Sequence, residues 1–240
     1  NKVLVAGGGI TQAGNNAFKN GTVHSFSDQQ WSTRINYNVS DIVNVRIDPA
    51  NNNHFYAGTW GFGLIEYSNN EPVQVFNAEN SSLQSIIEGE NYIRIGGLDF
   101  DENNNLWMTN SGVTNLISVK KANGEWKGYN FDEVVSNVRT GEILVTRNND
   151  KWIILPDGLG LLIFSENNTI DNSNDDRVKK ISIIDENGKL ITNNVYSITE
   201  DLNGVIWVGT DQGVVVYYNP ENIFEDENFY AQRIVLTTGG

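Results

Sequence analysis

One spacing constrains this chain more than any other. A large aromatic closes a strand at Tyr56, Trp107, Trp152 and Trp207, with Val5 in the same column, at intervals of 51, 51, 45 and 55 residues. Each sits in the same local grammar. The clearest copy is Val195–Tyr217, which reads as a strand, the turn Asp201-Leu-Asn-Gly204, a strand ending in Trp207-Val-Gly-Thr210, a short loop with Gly213, and another strand. Val43–Tyr67 repeats it with Asp48, Asn51–Asn53, Tyr56-Ala-Gly-Thr59, Gly61 and Gly63. Ile95–Val119 does so with Asp101, Asn103–Asn105, Trp107, Thr109 and Gly112, and Glu142–Phe164 with Asn148-Asn-Asp150, Trp152, Gly158 and Gly160. Leu4-Val-Ala-Gly-Gly-Gly9 matches only the second half of the unit.

A period near ~40–50 residues is that of a four-stranded propeller blade. Fourth strands are expected at Val73–Phe76, Trp126–Tyr129, Lys179–Ile184 and Tyr230–Leu236, from β-branched and aromatic enrichment bounded by turn residues. No segment carries a long, capped 3.6-residue period, so almost no helix is expected. The expected fold is all-β, a β-propeller of four-stranded antiparallel blades with about five blades visible, in units near 1–37, 38–90, 91–136, 137–192 and 193–240. The first unit lacks its inner strand and the last ends just after an outer one. Either a terminal strand completes the first blade, or the chain is part of a larger propeller, the reading that the unbroken grammar at both ends favours.

Packing explains the repeated residues. A blade lies between two neighbours, so its middle strands must be apolar on both faces, as Val205-Ile-Trp-Val208 and Lys151-Trp-Ile-Ile-Leu155 are. The aromatic fills the wedge between blades, the glycine after it admits a close backbone approach, and the threonine hydroxyl is expected to bond a loop backbone group. Asp-x-Asn-Gly makes the hairpin turn. The 36 asparagines and 23 glycines supply the positive-φ residues that many tight turns require.

Composition removes whole classes of function. Net charge is −14, from 30 acids against 16 bases, so neither nucleic acid nor an anionic membrane surface finds the cations it needs. There is no cysteine, which excludes disulfides, thiol catalysis and cysteine-ligated metals. No apolar run approaches the ~20 residues of a membrane helix, so no membrane insertion is expected. The first residue is Asn rather than Met, as in a trimmed exported chain. Only His24 and His54 are present, His24 in an expected edge strand and His54 beside a turn; both are read as surface residues rather than bases. No His-Glu-x-x-His or Gly-x-Ser-x-Gly occurs, and the glycine pairs at 7–9, 61–63 and 158–160 fit strand-to-strand loops better than a dinucleotide fingerprint. Asp171, Asp175 and Asp176 could offer oxygens to a structural calcium, but the loop lacks the glycine and glutamate of an EF-hand, and no cofactor is expected.

The pattern Ile-x-x-Asp-x-x-Gly-x-x-Trp-x-Gly-Thr-x-x-Gly-Val at Ile198–Val214 resembles the two-component regulator propeller repeat, which builds periplasmic sensor domains of hybrid two-component systems, chiefly in Bacteroidetes. The tail, Tyr217-Tyr-Asn-Pro-Glu-Asn-Ile-Phe224 with Asn228–Val235, looks more specifically like PorZ-type surface components of the type IX secretion system. The unit at 137–165 departs from the repeat, with Ile154-Leu155 in place of Gly-Thr and Pro156 after them. The resemblance implies an exported propeller, periplasmic or on the cell surface, in a sensing, scaffolding or glycan-associated role. It implies no catalytic residues.

Propeller ligands sit where the central channel opens, between two sets of loops. One set contains Trp60, Phe62, Asn110, Ser111, Asp157, Asp211 and Gln212; the other contains Tyr92, Arg94, Arg139, Asn193, Asn194 and Tyr196. Trp60 stands out, because a large ring in a Gly-rich loop is not needed for packing. Aromatics with Asn, Asp and Arg are what a saccharide face needs. The site expected from sequence is therefore Trp60, Phe62, Arg94, Asn110, Arg139, Asp157, Asp211 and Gln212, holding a glycan, a surface polysaccharide or a protein partner. The alternative is a propeller lyase or glycan-acting hydrolase, for which the acids Asp157 and Asp211 would serve and both histidines are misplaced.

Overall fold

A computed structural model describes residues 2–235, and every element but one is a strand. The exception is a single 3-10 turn at Pro220–Asn222. The chain divides into two compact units, Asn1–Ile143 and Leu144–Gly240.

The first unit opens with a three-stranded sheet, β1 (Val3–Ala6), β2 (Asn20–Ser27) and β3 (Gln30–Ser40), in the order β1-β2-β3. His24 therefore lies in a middle strand rather than the expected edge strand, its Nδ1 2.9 Å from Thr33 Oγ1. Next come β4 (Ile42–Asp48), β5 (Asn51–Gly61), β6 (Leu64–Ser68) and β7 (Glu71–Phe76), then β8 (Ile93–Phe100), β9 (Leu106–Asn110), β10 (Ile117–Lys120) and β11 (Trp126–Tyr129). All neighbours are antiparallel, as short hairpin connections require. β5 runs on past its own sheet and pairs with β8 at Trp60↔Arg94 and Gly61↔Ile93, which joins the second and third sheets into one of eight strands.

The two-residue side-chain period of a strand explains the doubly apolar middle strands. Phe55 and Ala57 of β5 face one core, with Val23, Ile42, Ile65 and Tyr67; Tyr56 faces the next, with Leu64, Ile93, Ile95, Leu98, Leu106 and Met108. The glycine after the aromatic column admits neighbouring side chains rather than the backbone approach expected from sequence. A Cβ on Gly58 would lie 2.3 Å from Asn44 Oδ1 and 2.7 Å from Ile95 Cγ2. The following threonine does bond its loop, Thr59 Oγ1 donating to Gly63 O at 2.8 Å and accepting from Phe62 N–H at 2.8 Å.

The second unit holds β12 (Ile143–Val145, across the unit boundary), β13 (Lys151–Leu155), β14 (Gly160–Ser165) and β15 (Arg177–Ile181), and then a hairpin, β16 (Ile183–Ile184) and β17 (Leu190–Thr192). A last sheet follows, β18 (Val195–Glu200), β19 (Ile206–Thr210), β20 (Gly213–Tyr217) and β21 (Gln232–Arg233). The outer strand expected at Tyr230–Leu236 is thus short, and Leu236 lies outside the described residues, as do Thr237–Gly240. The inserted hairpin turns on Asp185-Glu-Asn-Gly188, the same turn grammar as Asp201–Gly204, and accounts for the longest interval in the aromatic column. Trp152, Ile154, Leu161 and Ile163 pack with Ile198, Ile206, Val208, Val215, Tyr217 and Phe229 in one core.

The repeated aspartate does more than shape a turn. Asp101 accepts from the backbone N–H of Asn103 and Asn105 at 3.0 and 2.8 Å, and its other oxygen accepts from Asn105 Nδ2 at 2.8 Å and Trp107 Nε1 at 2.9 Å. Asp201 binds Asn203, Val205 and Trp207 Nε1 in the same way. The Trp207 indole and the turn amides hold the Asp201 carboxyl below its ordinary range. Six residues before Trp152 stands Thr146, and the Trp152 indole N–H has no partner. The same departing unit buries an ion pair, Lys151 with Glu166, at 0 % and 1 % side-chain exposure. Lys151 Nζ also donates to Asn149 O at 2.7 Å, and Asn149 Nδ2 donates to Glu166 Oε1 at 2.7 Å.

Candidate functional site

In the first unit, the end of β5 meets the start of β8 beneath the segment 14–16. Trp60 sits on the strand, not on an open loop, because β5 stays paired through Gly61. Its backbone N–H donates to Asp41 O at 2.9 Å and its Nε1 to Gly14 O at 2.9 Å, leaving the side chain 1 % exposed. The flat ring expected to face a ligand is therefore packed inside. What it carries instead is Arg94. That guanidinium lies 5.2 Å from the Trp60 ring centroid and 5.3 Å from that of Tyr92, so two aromatic rings hold one cation. Asn16 fixes both rings' supports, its Nδ2 donating to Trp60 O and its Oδ1 accepting from Tyr92 Oη.

Arg94 has aromatic neighbours but no anion. Its Nε is buried without a hydrogen-bond partner, and no carboxylate pairs with it among the described residues. Arg139 reaches the same segment; a Cβ on Gly14 would lie 2.6 Å from Arg139 Nη1, and Gly14 takes a positive φ of 79°. Phe62 is 40 % exposed. Asn110, by contrast, is fully buried and serves the scaffold. Its Oδ1 accepts from Gln84 N–H at 2.6 Å, and its Nδ2 donates to Arg94 O at 3.4 Å. Ser111 N–H also donates to Arg94 O, at 2.8 Å, so the strand presenting Arg94 is held from behind. The structure thus gathers Trp60, Arg94 and Arg139 around Gly14–Asn16. Trp60 and Asn110 act as supports rather than as open surface.

The remaining sequence-derived residues belong to the second unit. Asp211 accepts from Thr192 Oγ1 at 2.6 Å and Asn194 Nδ2 at 3.0 Å, and these donors hold its carboxyl below the ordinary carboxylate range. Gln212 N–H donates to Thr210 Oγ1 at 3.0 Å, and its carbonyl accepts from Arg233 Nη2 at 2.9 Å. Asp157 takes a positive φ of 64° in the turn between β13 and β14. Asp175 accepts from Thr169 Oγ1, and among the described residues no group of three or more His, Asp or Glu is arranged to hold a metal ion.

Sequence reasoning passed over one further cluster. His54 is held on both nitrogens, Nδ1 2.7 Å from Asp48 Oδ2 and Nε2 2.7 Å from Glu66 Oε1, which also accepts from Tyr56 Oη at 3.3 Å. Burial and the neighbouring Glu66 push the Tyr56 phenol far up. His54 is thus a bridge between strands rather than a free turn residue. The only signal in the sequence was two-residue alternation, which sets His54 and Tyr56 on one face of β5.

Comparison with known proteins fits this geometry. Residues 189–212 match the family model described as the two-component regulator propeller. No curated protein sequence matches the chain. Among solved structures, it is similar to PorZ, an essential bacterial surface component of the type IX secretion system of Porphyromonas gingivalis, at 23 % identity and a TM-score of 0.86. That match covers 97 % of this chain and 33 % of the other, so the chain spans about a third of the PorZ structure. The extracellular domain of the putative hybrid two-component system BT3049 of B. thetaiotaomicron is 18 % identical at a TM-score of 0.58, over 88 % of this chain and 27 % of that one. The β-propeller domain of Myceliophteria thermophila Cps50 is 12 % identical at 0.57, over 87 % and 67 %. No helix among the described residues is long and apolar enough to cross a membrane. The fold is therefore a β-propeller of antiparallel sheets, and residues 189–212 are similar to the two-component regulator propeller repeat.

Proposed function

We propose that the chain is a non-catalytic, exported propeller segment, periplasmic or on the cell surface, that acts as a sensor or scaffold by binding a glycan or a protein partner. One observation carries the reading: Arg94 is held between Trp60 and Tyr92, with its support strand tied from behind and no acid paired to it. A guanidinium built into a scaffold without an internal anion is a donor kept for an external oxygen. Arg139 and the exposed ring of Phe62 extend this surface in the first unit. Asp157, Asp211 and Gln212 are proposed as a separate polar surface of the second unit. The similarity to a secretion-system surface component and to the extracellular domain of a putative hybrid two-component system supports an exported role.

The test is binding of the folded chain to a panel of bacterial surface polysaccharides and to envelope proteins, with Arg94→Gln beside the native sequence. Loss of about 1.5–3 kcal/mol of binding, the worth of a hydrogen bond to a charged group, is expected for the variant. Undiminished binding by Arg94→Gln would remove Arg94 from the site. The same incubations assayed for new reducing ends are expected to show none; their appearance would establish the glycan-acting enzyme instead.

A further inference from the structure

The second unit has a cleft that the reading above does not use. It opens beside the end of β20 and the segment 218–232, with a volume of about 120 Å³, room for a few waters or one small polar group. Its walls are aromatic. Tyr217 and Phe229 are stacked at 4.9 Å and 4°, and Tyr218 and Tyr230 are 50 % and 40 % exposed. Asp226 lies among them.

Two groups here lack what they ordinarily have. The Tyr217 hydroxyl is buried with no hydrogen-bond partner, in a residue only 1 % exposed. Asp226 accepts one backbone N–H, from Asn228 at 2.9 Å, and no basic side chain pairs with its carboxylate among the described residues. The nearest cation does not fill that role. Lys179 Nζ donates to the backbone carbonyls of Ile223 and Asp226, at 2.8 Å each. Arg177 is paired with Glu225 and stacked on Phe224 at 4.6 Å.

Aromatic walls, an unpaired carboxylate and an unpartnered phenol oxygen are the parts of a cation receptor. Ring faces attract a positive charge through their quadrupole, and the oxygens accept its N–H groups. The charge of the whole molecule points the same way, since a chain of −14 draws cations toward it. We propose that this cleft binds an alkylammonium group, Asp226 supplying the counter-charge, Tyr217 an acceptor, and Tyr218 and Tyr230 the flanking rings. The source is either a lysine side chain of a partner segment or a free amine. The inference stands whether or not Arg94 binds anything.

The test titrates the folded 240-residue chain with Nα-acetyl-lysine N-methylamide, read by amide NMR shifts around Tyr217–Gln232, with the norleucine analogue as the uncharged control. Saturable shifts are expected for the lysine compound near ~1 mM, a weak single-group affinity, and none for norleucine. Asp226→Asn keeps the acceptor for Asn228 and removes the charge; it is expected to weaken binding about tenfold, and Tyr217→Phe several-fold. Equal binding of norleucine, undiminished binding by Asp226→Asn, or no saturable shift with an intact β-sheet circular dichroism spectrum would each overturn the proposal. Tighter binding of acetyl-Gly-Gly-Lys-Gly-Gly-amide than of the single residue assigns a partner segment, and equal binding assigns a free amine.

Discussion

Replacing Asp101 by alanine removes one carboxylate and four hydrogen bonds together. Three of the four donors, Asn105 N–H, Asn105 Nδ2 and Trp107 Nε1–H, belong to residues 8 % and 0 % exposed, so water cannot replace the lost acceptor without opening the sheet. A buried donor left without a partner costs about 1–3 kcal/mol, and the turn bond from Asn103 N–H adds to that, so Asp101→Ala is expected to cost about 4 kcal/mol. Asp101→Asn keeps one acceptor oxygen and is expected to cost about half as much. The assay is equilibrium urea unfolding followed by tryptophan fluorescence and far-ultraviolet circular dichroism, comparing variants at constant slope. A control separates the indole bond from the loss of ring volume. Trp107→Phe removes one of the two donors to Asp101 Oδ2, whereas Trp152→Phe removes no bond, because the Trp152 N–H is already unpartnered. The first is expected to cost about 1–2 kcal/mol more than the second. Equal costs, or an Asp101→Ala within about 1 kcal/mol of the native chain, would refute the idea that the repeated aspartate and aromatic form one unit.

Three further expectations follow from the same structure. Gly58→Ala places a methyl 2.3 Å from Asn44 Oδ1 and is expected to destabilise by about 1–3 kcal/mol in the same urea assay, relieved in part by Asn44→Ala. Lys151→Met leaves Glu166 buried and unpaired and is expected to cost about 3–5 kcal/mol, whereas the double change with Glu166→Leu is expected to recover most of that loss; a double variant no better than the single would argue against the buried charge as the cause. Burial raises the Asp150 carboxyl, against the opposing pull of Ser165 and Lys151, so ionising it in the folded chain is unfavourable. The folded state then gains most where this acid is protonated, below its ordinary value of 3.8, and loses that gain as pH rises through the folded pKa. Asp150→Asn is therefore expected to raise the melting temperature at pH 7 and to leave it unchanged at pH 3; the reverse order would show that the carboxylate is stabilising.

The strands were legible because their physics is local. Two-residue alternation and turns that open on an aspartate and run through asparagine locate β18–β20, β4–β6 and β8–β10 without any tertiary information. The Asp185–Gly188 turn carries the same signal, but the strand expected at Lys179–Ile184 merges β15 with β16, and no strand is expected at β17. Trp60 was misread because Gly61 and Gly63 look like loop punctuation, while the pairing that keeps Trp60 in a strand comes from β8, more than 30 residues away. Arg94 could be picked out by type, but not its rings: Tyr92 is two residues off, and Trp60 reaches it only through the long strand. The indole acceptor Asp101 lies six residues before Trp107, a spacing that repeats in the sequence yet signals nothing until the turn folds back.

The run of β5 into β8 has a consequence for how the first unit comes apart. Its second and third sheets share backbone bonds at Trp60–Gly61, so neither can swing open as an independent leaf. Amide protons on β6 and β9 should exchange with solvent in one cooperative event rather than in two. Whatever pulls on the guanidinium at that seam tugs on both leaves together, and a small displacement there is felt along eight strands.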